Sequence, residues 1–214
     1  MCIRDSLQER SEQTGTPFVP FSQERDYPTY VDGRPRADGT RSFLASRGIE
    51  LPEGSPADPP EADTVYGLGN RKNILVQERI RTGQVVVYQG SVSYLRAVRD
   101  AGLLTAVVSS SANTPDVLEV TGIAELFDAR IDGNVARERG LPGKPAPDTF
   151  LAGAEDLGVS ADRAVVFEDA LAGVAAGRAG KFSLVVGVDR VGHAEALKAN
   201  GADVVVADLA ELLH

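Results

Sequence analysis

Hydrophobic and polar positions follow two different patterns along this chain, and the change falls near residue 85. From there onward, short apolar runs rich in Val and Ala alternate with amphipathic stretches. That alternation predicts βα units and a parallel sheet. Leu103–Val108 reads as a strand. Thr114-Pro115 then supplies an N-cap and a first-turn proline for a helix carrying Val117, Leu118 and Val120. Phe127–Ile131 reads as a short extended piece. Asp148 is placed to cap a helix whose Phe150, Leu151, Ala154 and Leu157 share one face. Ala164–Phe167 is the next strand, and Leu171–Ala179 is a small-residue helix ending near Gly180. Leu184–Val188 and Asp203–Val206 are two more strands, separated by a helix over Ala194–Ala199.

The first half lacks this rhythm. Gln8–Gly15 is polar, and Pro17, Pro20, Pro28 and Pro35 punctuate the stretch after it. Arg41–Gly48 and Lys72–Thr82 read as helices around the Pro- and acid-rich loop Pro52–Pro60. No run before Val85 is as apolar as Ala164–Phe167. We therefore expect an α/β protein with a mainly helical module over residues 1–85 and an α/β module over residues 86–214. No internal repeat is visible.

Composition narrows the function. The 214 residues are 43% hydrophobic and 25% charged, an ordinary globular balance. The net charge of −9, with no dense basic patch, argues against nucleic-acid binding. It leaves room for a small anionic substrate, because a few placed cations in a cleft outweigh a distant acidic surface. Cys2 stands alone, so no internal disulfide forms and nothing points to secretion. No apolar run approaches the roughly 20 residues that span a bilayer, and no signal-peptide core is present. A soluble, cytoplasmic, monomeric protein is expected. Two histidines, His193 and His214, argue against a His-based metal or triad site, and His193 reads as exposed at a helix start.

Three segments carry candidate chemistry in the α/β half, and a fourth lies in the helical half. Glu168-Asp169 closes the apolar run Ala164–Phe167 and precedes Gly173 in a small-residue helix. Adjacent carboxylates at a strand's C-terminal end suit a hard cation such as Mg²⁺, and the competing role is an acidic helix cap. Ser109 follows another apolar run and begins Ser109-Ser110-Ser111-Ala112-Asn113, a turn whose hydroxyls and N–H groups can hold an anion or merely cap a helix. Lys144 stands between Gly143 and Pro145, where it can neutralise a phosphoryl group or remain an ordinary surface lysine. Arg71, in Gly67-Leu68-Gly69-Asn70-Arg71-Lys72-Asn73, either clamps a phosphate with its fork or follows a glycine turn. Asp32-Gly33 and Asp38-Gly39 read as turns.

In that order, Ser109, then Lys144 in Gly-Lys-Pro-Ala-Pro-Asp, then Glu168-Asp169 in Val-Phe-Glu-Asp-Ala-Leu-Ala-Gly-Val resemble motifs II, III and IV of the haloacid dehalogenase superfamily. The similarity runs from about Thr16 and points to its β-phosphoglucomutase-like phosphatases and mutases. The resemblance implies a Rossmann-like core with a helical cap and Mg²⁺-dependent phosphotransfer on a small metabolite such as a sugar phosphate, through an aspartyl-phosphate. It would have Ser109 bind the transferring phosphoryl oxygens and Lys144 offset their charge. Glu168 and Asp169 would hold Mg²⁺. Ser111 and Asn113 match positions near the substrate phosphate, and Arg71 matches the cap's arginine. Phosphatase and mutase remain alternatives.

The family's first motif, Asp-x-Asp-Gly at the end of the first core strand, has no counterpart here. Asp5 follows only Met1–Arg4, and Asp32 and Asp38 lie in cap-like sequence. The resemblance therefore implies a member without its first strand and nucleophile, with residues 1–6 as an unrelated leader. It also implies no turnover by the chain as it stands. The other class of function is a non-catalytic phosphometabolite-binding or interaction protein with a degenerate site.

Overall fold

Among the described residues, five short strands, each parallel to the strands it pairs with, organise the C-terminal part of the chain. The computed structural model describes Ser11, Gly15, Pro17 and residues 19–213. The expectations for Cys2, Asp5, the 1–6 leader and His214 lie outside the described residues, as does most of the polar stretch Gln8–Gly15. The chain divides into two compact units. One is the chain up to Asp32 with Arg36–Thr82; the other is Gly33–Pro35 with Gly83 onward.

In the second unit, β1 (Ala106–Val108) pairs with β2 (Ala129–Ile131). Separately, β4 (Leu184–Val188) lies between β3 (Val165–Glu168) and β5 (Val204–Val206). Helices connect these strands. They are α3 (Gln89–Asp100) before β1, α4 (Thr114–Thr121) between β1 and β2, and α5 (Gly133–Glu138) with α6 (Asp148–Asp156) between β2 and β3. Then α7 (Leu171–Ala179) follows β3 and α8 (Ala194–Ala199) follows β4. β-Branched Val fits the pleated surface, and β4 is buried along Val185–Val188, as a parallel strand covered on both faces must be.

Successive β4 residues serve opposite faces. Val185 joins Phe150, Val166, Val174, Ala176 and Leu197 in one cluster, against which Val108 packs. Val186 and Val188 join Val206 and Leu209 in the other, with Tyr94 and Phe167 packed against it. Tyr94, from α3, meets Phe167 edge-on at 5.3 Å between centroids. Gly177 lets α7 lie close to the sheet, since a Cβ there would stand 3.2 Å from both Val166 and Val185.

The strands at Leu184–Val188 and the helices at Leu171–Ala179 and Ala194–Ala199 match the sequence reading. Elsewhere the structure differs, for local reasons. β1 begins at Ala106 because Leu103 and Thr105 are already committed. The Leu103 N–H closes α3 by donating to the Val98 carbonyl, and the Thr105 N–H donates to Asp128 Oδ2. α3 and α5 go beyond the sequence reading. The polar sequence of α3 hides a single apolar face, and α5 is started by Asp132, whose carboxylate accepts the Asn134 and Val135 N–H groups. Thr114 does not cap α4; it lies inside the helix and its hydroxyl donates to the Ser111 carbonyl. Asp148 is likewise the first residue of α6, not its cap. The sequence pattern predicts a single sheet, yet among the described residues β1–β2 and β3–β4–β5 share no ladder.

The first unit holds α1 (Arg36–Ser46) and α2 (Val65–Arg81), with Leu44, Val65 and Leu68 packed together against Ala37, Ile49 and Leu51. Phe21 meets Phe43 edge-on, and Arg47 pairs with Asp26 at 2.7 Å. Both helices start upstream of their expected positions. In sequence a glycine turn is one of two readings for Gly67 and Gly69, but they lie inside α2 and permit close approach: a Cβ on Gly67 would stand 2.2 Å from the Ala62 carbonyl oxygen.

Leu197 is completely buried whereas Val191 is 70% exposed. Leu197→Ala is expected to cost about 2–5 kcal/mol. Val191→Ala should stay within about 0.5 kcal/mol of wild type. Urea unfolding monitored by circular dichroism measures both.

Candidate active site at the carboxyl ends of the strands

Parallel strands all end on one side of the sheet, which brings side chains from distant segments together. Ser109, Asp132, Asp169 and Asp189 each come directly after a strand at that end. Most of the acids there are spoken for by their own loops. Asp132, 1% exposed, starts α5. Asp189 Oδ1 accepts the N–H groups of Val191, Gly192 and His193 at 3.2, 2.7 and 2.9 Å, and its Oδ2 accepts that of Ala194 at 3.1 Å. Those N–H bonds, that of His193 foremost, hold the Asp189 carboxyl below its ordinary value against the opposing effect of burial.

Lys144 is the centre of the site. It is 5% exposed, and its Nζ lies 2.6 Å from Glu168 Oε2 and 3.4 Å from the Val108 carbonyl. Its ammonium also sits 4.4 Å from the Phe150 ring centroid, an attractive cation–π contact. A lysine in a Gly-Lys-Pro loop is usually exposed; here it bridges the ends of β1 and β3. Glu168 is equally fixed. Its Oε1 accepts the Ala170 N–H at 3.0 Å, and its carboxylate lies over Gly173, where a Cβ would come within 2.2 Å of it. Only glycine leaves room for that packing.

Beside Lys144, the serine turn is ordered by its own hydroxyls. Ser109 Oγ accepts the Ser111 N–H at 3.1 Å, and Ser111 Oγ accepts the Asn113 N–H at 3.1 Å. The Ser110 hydroxyl donates to the Gly33 carbonyl at 2.7 Å. Gly33, at φ +69°, has no room for a side chain, because a Cβ would lie 2.8 Å from that of Ala170. The tripeptide Gly33–Pro35 is thus held between the serine turn and the acidic loop, although it is read in the helical half of the sequence.

The structure brings Ser109, Ser111, Asn113, Lys144, Glu168 and Asp169 to one end of the α/β unit. Arg71 belongs to the other unit, where its Nε donates to the Pro60 carbonyl at 2.7 Å. That unit also contains a pair the sequence reading missed. Lys72 stands 5.4 Å from the Tyr27 ring, and burial first, then the neighbouring Arg36, pushes its pKa down, against an upward pull from Asp32. Arg36 Nη2 donates to Asn73 Oδ1 at 2.6 Å. Two half-buried cations near enough to repel are an arrangement that an anion would relieve. Nothing local marked it, because Arg36 and Lys72 lie on different helices.

Glu168 and Asp169 offer the hard oxygen donors that Mg²⁺ prefers. Among the described residues no third His, Cys, Asp or Glu completes a cluster. Mg²⁺ is commonly bound through one or two carboxylates together with waters and substrate phosphate oxygens. No described helix is long and apolar enough to cross a membrane.

Residues 9–181 match the haloacid dehalogenase-like hydrolase family, and the chain belongs to it. It is 59% identical over 210 residues to a β-phosphoglucomutase of Mycobacterium tuberculosis, covering 97% of this chain and 80% of that protein. It is 41% identical over 208 residues to an uncharacterized glycosyl hydrolase of M. tuberculosis, covering 97% of this chain and 15% of that much longer protein. The fold is similar to the crystal structure of β-phosphoglucomutase from Clostridium difficile, with a TM-score of 0.73 at 23% identity over 95% of this chain and 82% of that one.

This geometry carries two expectations. Gly173→Ala should push the Glu168 carboxylate off Lys144 and lower stability by about 1–3 kcal/mol, the cost of overpacking, whereas Ala172→Gly should not displace the pair. Urea unfolding tests this. For Asp189 the depressed value sets the sign of a pH effect. Its contribution is complete above the ordinary aspartate value of about 3.9 and is lost as pH falls through the lower folded value. Asp189→Asn should therefore lose stability at pH 7 and show a shallower further loss than wild type below about pH 4.

Proposed function

We propose that this chain supplies the phosphate-handling core of a Mg²⁺-dependent phosphotransfer enzyme acting on a small phosphorylated metabolite, a sugar phosphate in the manner of β-phosphoglucomutase. The observation that carries this reading is the buried Lys144, held by Glu168 and the Val108 carbonyl beside the serine turn and Asp169. A buried ammonium is costly in water-poor surroundings. Placing it at the open end of a parallel sheet makes physical sense when an anion binds there.

In this reading the Ser109 hydroxyl, with donors of the turn through Ser111 and Asn113, binds oxygens of the transferring phosphoryl group. Lys144 offsets their negative charge. Asp169 and Glu168 hold Mg²⁺, which when bound supplies charge neutralisation at the phosphate oxygens. The helical unit, over residues up to about 85, corresponds to the cap that the family resemblance implies. Arg71 remains the substrate-phosphate candidate in that unit, its Nε donating to the Pro60 carbonyl. The protein works as a cytoplasmic monomer.

We also propose that residues 1–214 alone do not turn over. Phosphoryl transfer through an aspartyl-phosphate needs a nucleophilic aspartate and a second as acid/base. Among the described residues no such pair accompanies Ser109 and Lys144. The separation of β1–β2 from β3–β4–β5 supports this, since a strand between them is where such a pair would be carried. The alternative, a protein that binds phosphometabolites without converting them, makes the same prediction for turnover by this chain. It differs in that adding an Asp-x-Asp-Gly strand would leave the protein inactive.

The test is phosphate release from β-glucose 1-phosphate and from an aryl phosphate with Mg²⁺, using residues 1–214, together with inorganic phosphate binding by calorimetry. Binding without turnover is expected. Ser109→Ala should weaken phosphate binding about fivefold, for one lost hydrogen bond of about 1 kcal/mol. Robust turnover by this chain would overturn the inactivity proposal, and absence of phosphate binding would overturn the site.

A further inference from the structure

In sequence, His193 reads as an exposed residue at a helix start. It does occupy the N-cap position of α8, yet its side chain makes no capping bond there. Instead, Nε2 lies 3.2 Å from the carbonyl oxygen of Asp169, on the loop after the neighbouring strand. A carbonyl oxygen only accepts, so Nε2 carries the proton and donates.

The loop bearing His193 is built for this reach. Gly192 takes φ +80°, a left-handed turn that glycine adopts without strain. Asp189, at the end of β4, then gathers the N–H groups of residues 191–194 on its two carboxylate oxygens. The His193 backbone is thereby fixed relative to β4. The pairing of Glu168 with Gly187 fixes β4 relative to the end of β3.

The consequence lies in the peptide group between Asp169 and Ala170. Its N–H donates to Glu168 Oε1 at 3.0 Å, and its C=O accepts from His193 Nε2 at 3.2 Å. Both polar ends of one peptide plane are held, from opposite sides, by side chains that are themselves anchored. A rotation of that plane would break both bonds, so the backbone from which the Asp169 carboxylate projects is held in place.

We infer that His193 is a positioning residue for Asp169, acting through the Asp169–Ala170 peptide to orient the carboxylate toward Mg²⁺. This rests on the proposed metal role of Asp169. Groups one step removed from a metal orient its ligands, and their loss typically weakens metal binding about 10- to 100-fold.

The experiment measures Mg²⁺ affinity of residues 1–214 by calorimetry for wild type, Asp169→Ala, His193→Ala and His193→Gln. The Gln amide nitrogen can stand close to where Nε2 stands. His193→Ala should weaken Mg²⁺ binding at least tenfold with the thermal midpoint nearly unchanged, and His193→Gln should recover most of the loss. Side-chain ¹⁵N spectra of the wild type at pH 8 should show the Nε2–H tautomer of His193. Unchanged Mg²⁺ affinity in His193→Ala, against a wild type whose binding depends on Asp169, overturns this inference alone. A dominant Nδ1–H tautomer also overturns it. Wild-type protein with no Asp169-dependent Mg²⁺ binding overturns the metal reading and this inference with it.

Discussion

The ion pair between Lys144 and Glu168 is the interaction on which the site depends. Both side chains are almost fully removed from water, at 4% and 9% exposure. Such a pair gains little net stability over an apolar substitute, but removing one partner strands a buried charge, at a cost of about 3–5 kcal/mol. Each partner also makes contacts that only this arrangement allows. Lys144 reaches the last carbonyl of β1 and the Phe150 ring, while Glu168 lies over Gly173 and holds the Ala170 N–H. The pair spans the two separately hydrogen-bonded sheets.

The surrounding loops share a device: several carboxylates and hydroxyls at the carboxyl end of the sheet accept backbone N–H groups. Asp132 starts a helix, Asp189 shapes the loop to α8, and Asp208 accepts the Ala210 N–H in a capping box with Glu211. These carboxylates stabilise the loops; Glu168 and Asp169, at the end of β3, are the two we assign to metal. The serine turn works similarly, each of the Ser109 and Ser111 hydroxyls accepting an N–H two residues on. A site assembled this way is preorganised, which is what phosphoryl transfer requires, because little covalent chemistry is asked of the protein beyond positioning and charge.

Much of the fold was legible in the chain. β4 and α7 lie where apolar runs and small-residue periodicity put them, because each is buried along much of its length, and the short α8 is placed by its one buried residue, Leu197. The failures were at ends and at glycines. Thr114 and Asp148 look like caps in sequence, yet the helices start at those residues, a shift that one-dimensional pattern does not resolve. A turn is one reading of Gly67 and Gly69, yet they serve close packing inside α2. The order Ser109, Lys144, Glu168-Asp169 pointed to the family that the chain belongs to, since residue type and spacing survive without coordinates.

By itself, then, the sequence determined the α/β class, the family, and which residue types stand at the strand ends. Those come from local hydrophobic period and from the motifs. Tertiary structure alone decided how those residues are used. The Lys144–Glu168 bond and the His193–Asp169 contact each join residues 24 positions apart. The crowding of Lys72 by Arg36 and the placement of Gly33 between Ser110 and Ala170 also link separate elements. Such contacts depend on which strand neighbours which, and on how closely a helix approaches the sheet. Both are properties of the packed chain as a whole, set by the collective burial of its apolar faces.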